Sequence, residues 1–156
     1  MKNWKLAAAA IGGLVLGGLG GAVLAKGGDK PAYVLQTADA LKWNPLDPKM
    51  PKGAQVAFVS GDPATGPVAF ELKVPKGASP VHWHTSDYYA VIVAGSTKHW
   101  LAAEDGAKAK ANPVGTAWYQ PGGDKNAHGD ECVTDSCTLF VMMPGKFDMT
   151  PVPAKK

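Results

Sequence analysis

Beyond residue 25 the apolar residues come in short runs, alternating with polar ones and broken at close intervals by Pro and Gly. This pattern predicts strands and turns, not long helices. In VAFELKV, Val68 to Val74, Phe70 and Leu72 share one face and Glu71 and Lys73 the other, the period of a half-buried strand. Similar runs predict strands at 33–37, 55–60, 96–101, 116–120, 138–143 and 147–152, with turns at GDPATGP and PKGASP. One helical turn capped by Thr37 fits residues 37–41. The following LKWNPLDPKMPKG holds three prolines in seven residues, so it reads as extended or turned loop packed by Trp43 and Leu46. AAEDGAKAKANPVG reads as a surface loop. The result is an all-β domain of about eight to ten short strands, enough for a jelly-roll barrel.

One stretch carries candidate chemistry. In GASPVHWHTSDYYAVIVAG, Gly77 to Gly95, His82 and His84 stand two apart. If the run is a strand, both imidazoles share a face with Tyr88, Ile92 and Ala94, while Asp87 falls on the other. Two same-face imidazoles suit a metal ion. A third candidate ligand, His128, follows the turn PGG after the apolar run TAWYQ.

These segments resemble the two cupin motifs. The first reads Gly77, four residues, His82-x-His84, three residues, Tyr88, six residues, Gly95. The second reads Gly115, five residues, Pro-Gly-Gly, four residues, His128. Each departs slightly from the family spacing, and Tyr88 stands where the first motif has its Glu. Together with LKWNPLDPKMPKGAQVAFVSGDPATGPVAFELKVPKG and GKFDMTPV, they are similar to a group of small single-domain bacterial cupins of unknown function. The resemblance runs over roughly residues 33 to 152 and implies a double-stranded β-helix; Trp43, in its loop, reads as a lid on the barrel end. It also implies a divalent transition metal (Fe, Zn, Mn, Ni or Cu) on His82, His84 and His128, and a homodimer through an edge strand.

Three neutral imidazoles leave coordination positions open, the arrangement of catalytic and not structural sites. Resemblance to three-His cupin dioxygenases implies an oxygenase, and an isomerase acting on a small molecule fits the same residues. The alternative is a non-catalytic module that binds or senses a small molecule or metal. Tyr88, at the vacated Glu position, is the candidate catalytic residue, its hydroxyl placed to orient a substrate or a metal-bound water; otherwise its ring fills the barrel. Gln120 is a fainter candidate for a fourth ligand. His99 has no motif around it and reads as a surface or core-edge residue. Trp83, Trp118, Phe140 and Met142 read as core or pocket wall. Cys132 and Cys137 flank the turn-like VTDS and suit a disulfide across a hairpin, although a thiolate from Cys132 toward the metal is the competing use.

Composition narrows the partners. All 16 basic residues are Lys, so the forked guanidinium that clamps phosphate or carboxylate bidentately is missing. Residues 1–25 hold Lys2 and Lys5, then a 20-residue uncharged run ending in Val23-Leu24-Ala25, which reads as an export signal cleaved after Ala25. A retained anchor is the competing reading, since Gly13, Gly17 and Gly21 repeat at a helix-packing spacing. Either way the domain is expected outside the cytoplasm, periplasmic or secreted, which suits a disulfide. Beyond the leader, 14 lysines face 13 acids, so no nucleic-acid partner is expected. Residues 26–32, KGGDKPA, read as a linker and 33–156 as one domain.

Overall fold

Alternating apolar residues build nine strands among the described residues, 33–153 of the computed structural model. They are β1 (Asn44–Pro45), β2 (Gln55–Gly61), β3 (Val68–Ala78), β4 (His82–Trp83), β5 (Tyr88–Ala94), β6 (Thr97–Leu101), β7 (Ala117–Gln120), β8 (His128–Met143) and β9 (Thr150–Pro151). The leader and linker expected at 1–32 lie outside the described residues. All pairings are antiparallel. The sheet runs β1-β2-β3-β8-β4-β9, with β5 and β6 also on β8 and β7 on β5.

The long strand β8 is the hub. Its second half, from Thr138, lies between β3 and β5, while residues 128–132 pair with β6. Leu139, Val141 and Met143 face inward from it and meet Tyr88, Ala90 and Ile92 of β5 and Val68 and Phe70 of β3. Fully burying side chains of this size contributes about 1.5–3 kcal/mol each. Phe58, Phe70 and Phe147 close the cluster edge to face, with ring centroids 4.8–6.0 Å apart.

Several expectations need correction. Residues 33–37 form no strand; Val34 and Leu35 are exposed and pair with nothing among the described residues. The helical turn is present as a short 3-10 turn, Ala38–Ala40, but the Thr37 side chain does not cap it. Leu46 is 37% exposed, whereas Trp43 is half-buried and lies under the Lys73 ammonium at 4.1 Å. PKGASP is no turn at its start: β3 continues through Pro75 to Ala78, past a bulge between Pro75 and Gly77. Proline has no N–H for the ladder, and a bulge is where a strand tolerates it.

VTDS is not the tip of a hairpin. Cys132 and Cys137 both belong to β8, and a straight strand would hold them about 16 Å apart. Their Cα atoms are 5.8 Å apart and disulfide-bonded. The register explains this, because Gly77 faces Cys132 and Pro75 faces Ser136. Two steps on β3 span four on β8, so the intervening residues loop out.

The histidine run is likewise two strands, not one, with bends at Thr85 and Ser86. Short polar side chains there hold the backbone in place of a ladder. Asp148 accepts from the Thr85 N–H (2.9 Å) and hydroxyl (2.6 Å), and Ser86 Oγ accepts from the Gly145 N–H at 2.8 Å. Asp87 accepts from the Gly122 N–H (2.9 Å) and the Tyr119 hydroxyl (2.8 Å). Tyr88 and Ile92 still face the interior as expected, while Ala94 is exposed beyond a register shift that follows Ile92.

Candidate metal centre

Strand register brings the named histidines together. His82 lies directly opposite His128 across the β4–β8 pair, and directly opposed residues project from the same face of a sheet. His84 follows where β4 ends and the chain bends. One ligating nitrogen from each of His82, His84 and His128 falls within 4.8 Å of the others, with ring centroids 4.5–5.4 Å apart. His82 and His128 are 6% and 1% exposed, so the cluster is interior.

Each ring is held by the same device. The Nδ1–H of His82 donates to the Pro80 carbonyl at 2.8 Å, that of His84 to the Asp148 carbonyl, and that of His128 to the Asn126 carbonyl at 3.2 Å. A ring that donates through Nδ1 carries its lone pair on Nε2. Three Nε2 lone pairs are thereby left for the interior. Burial holds His84 below the usual imidazole range, and the neighbouring His82 ring adds to this, since two imidazoles so close resist carrying charge together. Burial pushes His128 down to about 4, against the opposing pull of Asp130. Both are neutral near neutral pH, the form that binds metal.

A polar wall stands beside them. Asp130 follows His128 by two on β8 and so shares its face; it is opposite His99 on β6. Asp130 Oδ1 lies 2.6 Å from His99 Nδ1, and Gln120 Oε1 lies 3.0 Å from His99 Nε2. Both partners are acceptors, so His99 donates from both nitrogens and is an imidazolium. Burial opposes that charge, but the Asp130 bond and charge, with Gln120 and Glu104, outweigh it and raise His99 above its ordinary value. The Asp130 carboxyl is lowered: burial would raise it, and the surrounding imidazoles, His99 first, prevail. Its second oxygen, Oδ2, lies 3.8 Å from His82 Nε2 and 4.0 Å from His128 Nε2.

Tyr88 points inward as expected and donates its hydroxyl to His128 Nε2 at 3.1 Å. Burial, then the Asp130 charge, raises its phenol, against a contact from Trp118; it remains a protonated donor. Trp118 stacks on His99, centroids 4.9 Å apart. Gly129, between His128 and Asp130, has a steric reason: an added Cβ would stand 2.5 Å from the Trp100 ring.

Other expectations fare differently. Gln120 is buried and inward, but its amide is taken up by His99 and by the Asn126 carbonyl at 2.8 Å. Cys132 offers no thiolate, being bonded to Cys137. His99, partly buried, is the core-edge residue of the two alternatives, and it joins the interior network. Phe140 and Met142 alternate away from the buried face of β8 and so are not core, but with Trp118 they line the wall of an open recess, the other half of that expectation. Asp130 was missing from the sequence-derived set. The signal that finds it is its two-residue spacing from His128, informative only once that segment is known to be strand and not loop.

Comparison with known proteins agrees with this fold. No curated protein compared matches the chain. Among solved structures, KdgF from Halomonas sp. is 22% identical with a TM-score of 0.53, over 72% of this chain and 94% of that one. An RmlC-like cupin protein from Ralstonia eutropha JMP134 is 21% identical with a TM-score of 0.55, over 70% and 66%. The polyketide cyclase RemF from Streptomyces resistomycificus is 17% identical with a TM-score of 0.58, over 80% and 89%. At these identities the likeness is one of fold alone, a cupin-type β-barrel. Residues 26–150 match a family model over most of the chain, and the protein therefore belongs to the family described as Domain of unknown function (DUF4437).

Proposed function

We propose that the protein is an exported cupin that holds one divalent transition metal through Nε2 of His82, His84 and His128, and acts on a small polar molecule as a metal-dependent oxygenase or isomerase. The observation that carries this reading is the shared Nδ1–H to carbonyl bond on all three rings. Histidines that ligate metals characteristically donate their other ring N–H to a carbonyl, carboxylate or water, which fixes the tautomer. The donor set fits as well: ligands at about 2.0–2.2 Å from one ion lie at most about 4.4 Å apart, and a few tenths of an ångström of inward movement brings the cluster within that span. Imidazole nitrogen suits Zn, Cu, Fe and Ni.

The bound ion would supply Lewis-acid or redox chemistry at its open positions. The chain supplies the rest. The Tyr88 hydroxyl, a donor aimed at the space in front of His128, orients an oxygen of the bound molecule. The Asp130–His99 pair places fixed charge at the same centre. Export rests on the leader and on the disulfide, which persists in oxidising compartments.

A homodimer through an edge strand also has support. Among the described residues β7 pairs only with β5. It borders an apolar outer face on which Tyr89, Tyr119 and Met142 are each about half exposed and an open recess of about 380 Å³ lies. A second copy joined there would cover that face, and sedimentation equilibrium measures it.

Elemental analysis of protein purified under native metal supply tests the metal. About one divalent ion per chain is expected, lost in His82→Ala, His84→Ala and His128→Ala; absence even after reconstitution would overturn the proposal. Oxygen uptake and product analysis over a small-molecule panel test the chemistry. Full occupancy with tight, unreactive ligand binding would make the protein a binding module.

A further inference from the structure

Resting on the metal reading above, we infer that Asp130 completes the centre as its carboxylate ligand, binding through Oδ2 while Oδ1 stays on His99. The first cupin-like motif offers no acid, since Tyr88 occupies the place. The acid comes instead from the other histidine-bearing strand, two residues beyond His128.

Three observations converge. Donor atoms around one ion are at most about 4.4 Å apart, and Oδ2 lies 3.8 Å from His82 Nε2 and 4.0 Å from His128 Nε2. Those separations are too long for hydrogen bonds and right for two ligands of one ion. Next, Oδ1 is engaged by His99 at 2.6 Å, whereas Oδ2 accepts no hydrogen bond among the described residues. Finally, the groups around the shared space are acceptors. The Nδ1–H bonds leave lone pairs on Nε2 of His82 and His128, and a carboxylate oxygen faces both. Converging acceptors repel unless a cation lies between them, and among the described residues the hydrogen bond aimed there is that of the Tyr88 hydroxyl, directed at His128.

His99 is then a positioning residue. Its bond to Oδ1 fixes the carboxylate plane, its other N–H is fixed by Gln120, and its ring is held by Trp118. This is the orienting partner that ligating carboxylates require.

The test compares wild type with Asp130→Asn, which keeps shape and the acceptor for His99 but removes the anionic donor, and with Asp135→Asn, which makes the same change at an exposed aspartate of the same strand. Chelator competition gives affinity for Co(II), and the visible spectrum reports its coordination sphere. Asp130→Asn should weaken binding at least roughly tenfold to a hundredfold, the range already seen when groups that merely support ligands are lost, and should shift the spectrum. Asp135→Asn should do neither. Unchanged affinity and spectrum in folded Asp130→Asn would overturn the assignment while leaving the three-histidine site standing. Wild type that binds no Co(II) would overturn the underlying reading instead. A second measurement needs no variant: infrared difference spectra of wild type carrying 13C-carboxyl aspartate should show a carboxylate band moving on Co(II) addition, and a silent aspartate region would count against the ligand.

Discussion

The two strands that deliver the histidines are built very differently. His128 belongs to a 16-residue strand paired with β3, β4, β5 and β6. His82 belongs to a two-residue strand that touches one residue of β8 and two of β9. One half of the centre is fixed by the core of the sheet. The other is fixed by loop chemistry, with Pro80 and Asp148 supplying carbonyls and the Asp148 side chain clamping the bend. A site made this way has one rigid wall and one adjustable wall, so damage should differ by side.

The largest effect is expected on the rigid side. His128→Ala removes a ring that is 1% exposed and stands at the meeting point of all the other groups; metal occupancy should fall below detection by elemental analysis. Gly129→Ala is next. Its Cβ would meet Trp100 on a fixed strand, and overpacking of this kind costs typically about 1–3 kcal/mol, read as a lowered midpoint in urea unfolding together with weaker metal binding. Loss of stability without any loss of affinity would show that β8 does not hold the site through this contact.

Asp148→Ala probes the adjustable side. It removes two bonds to Thr85 and an ion pair with Lys146, but not the backbone carbonyl that holds His84. Hydrogen bonds to a charged group are worth about 1.5–3 kcal/mol when well buried; at this partly exposed residue the cost should sit at or below the lower end. Chelator competition should show a several-fold loss of metal affinity, smaller than for His128→Ala. An equal loss would erase the distinction between the walls. The smallest effect on the site is expected from Cys132→Ser with Cys137→Ser. So short a loop contributes about 2 kcal/mol at most, and the bulge lies away from the imidazoles, so stability falls while metal stoichiometry stays at wild-type level.

The same contrast explains what could be read from the sequence. The barrel class and several of its strands were legible because β3, β5 and the end of β8 alternate cleanly, as Phe70 and Leu72, or Leu139 and Val141, show, whereas β1 and the first half of β8 were not read as strand. His82 and His84 were visible through their spacing, and His128 through the Pro-Gly turn before it. Asp130 and His99 were not, because their roles depend on register: they meet across β6 and β8 from positions 31 residues apart. The carbonyls that fix the three tautomers belong to the backbone, where residue identity says nothing. The false strand at 33–37 had composition but no partner, and the supposed hairpin at VTDS had turn residues that instead form a bulge closed by the disulfide.

The most direct test is the two-bond 1H–15N spectrum of histidine-labelled apoprotein, recorded before and after one equivalent of Zn(II). Three histidines should each keep a protonated Nδ1 while their Nε2 resonances move together on zinc addition, and His99 should stay doubly protonated throughout. If the three Nε2 resonances do not respond, or if the metal is found on Nδ1, the imidazoles do not share an ion in the way their carbonyl bonds dictate.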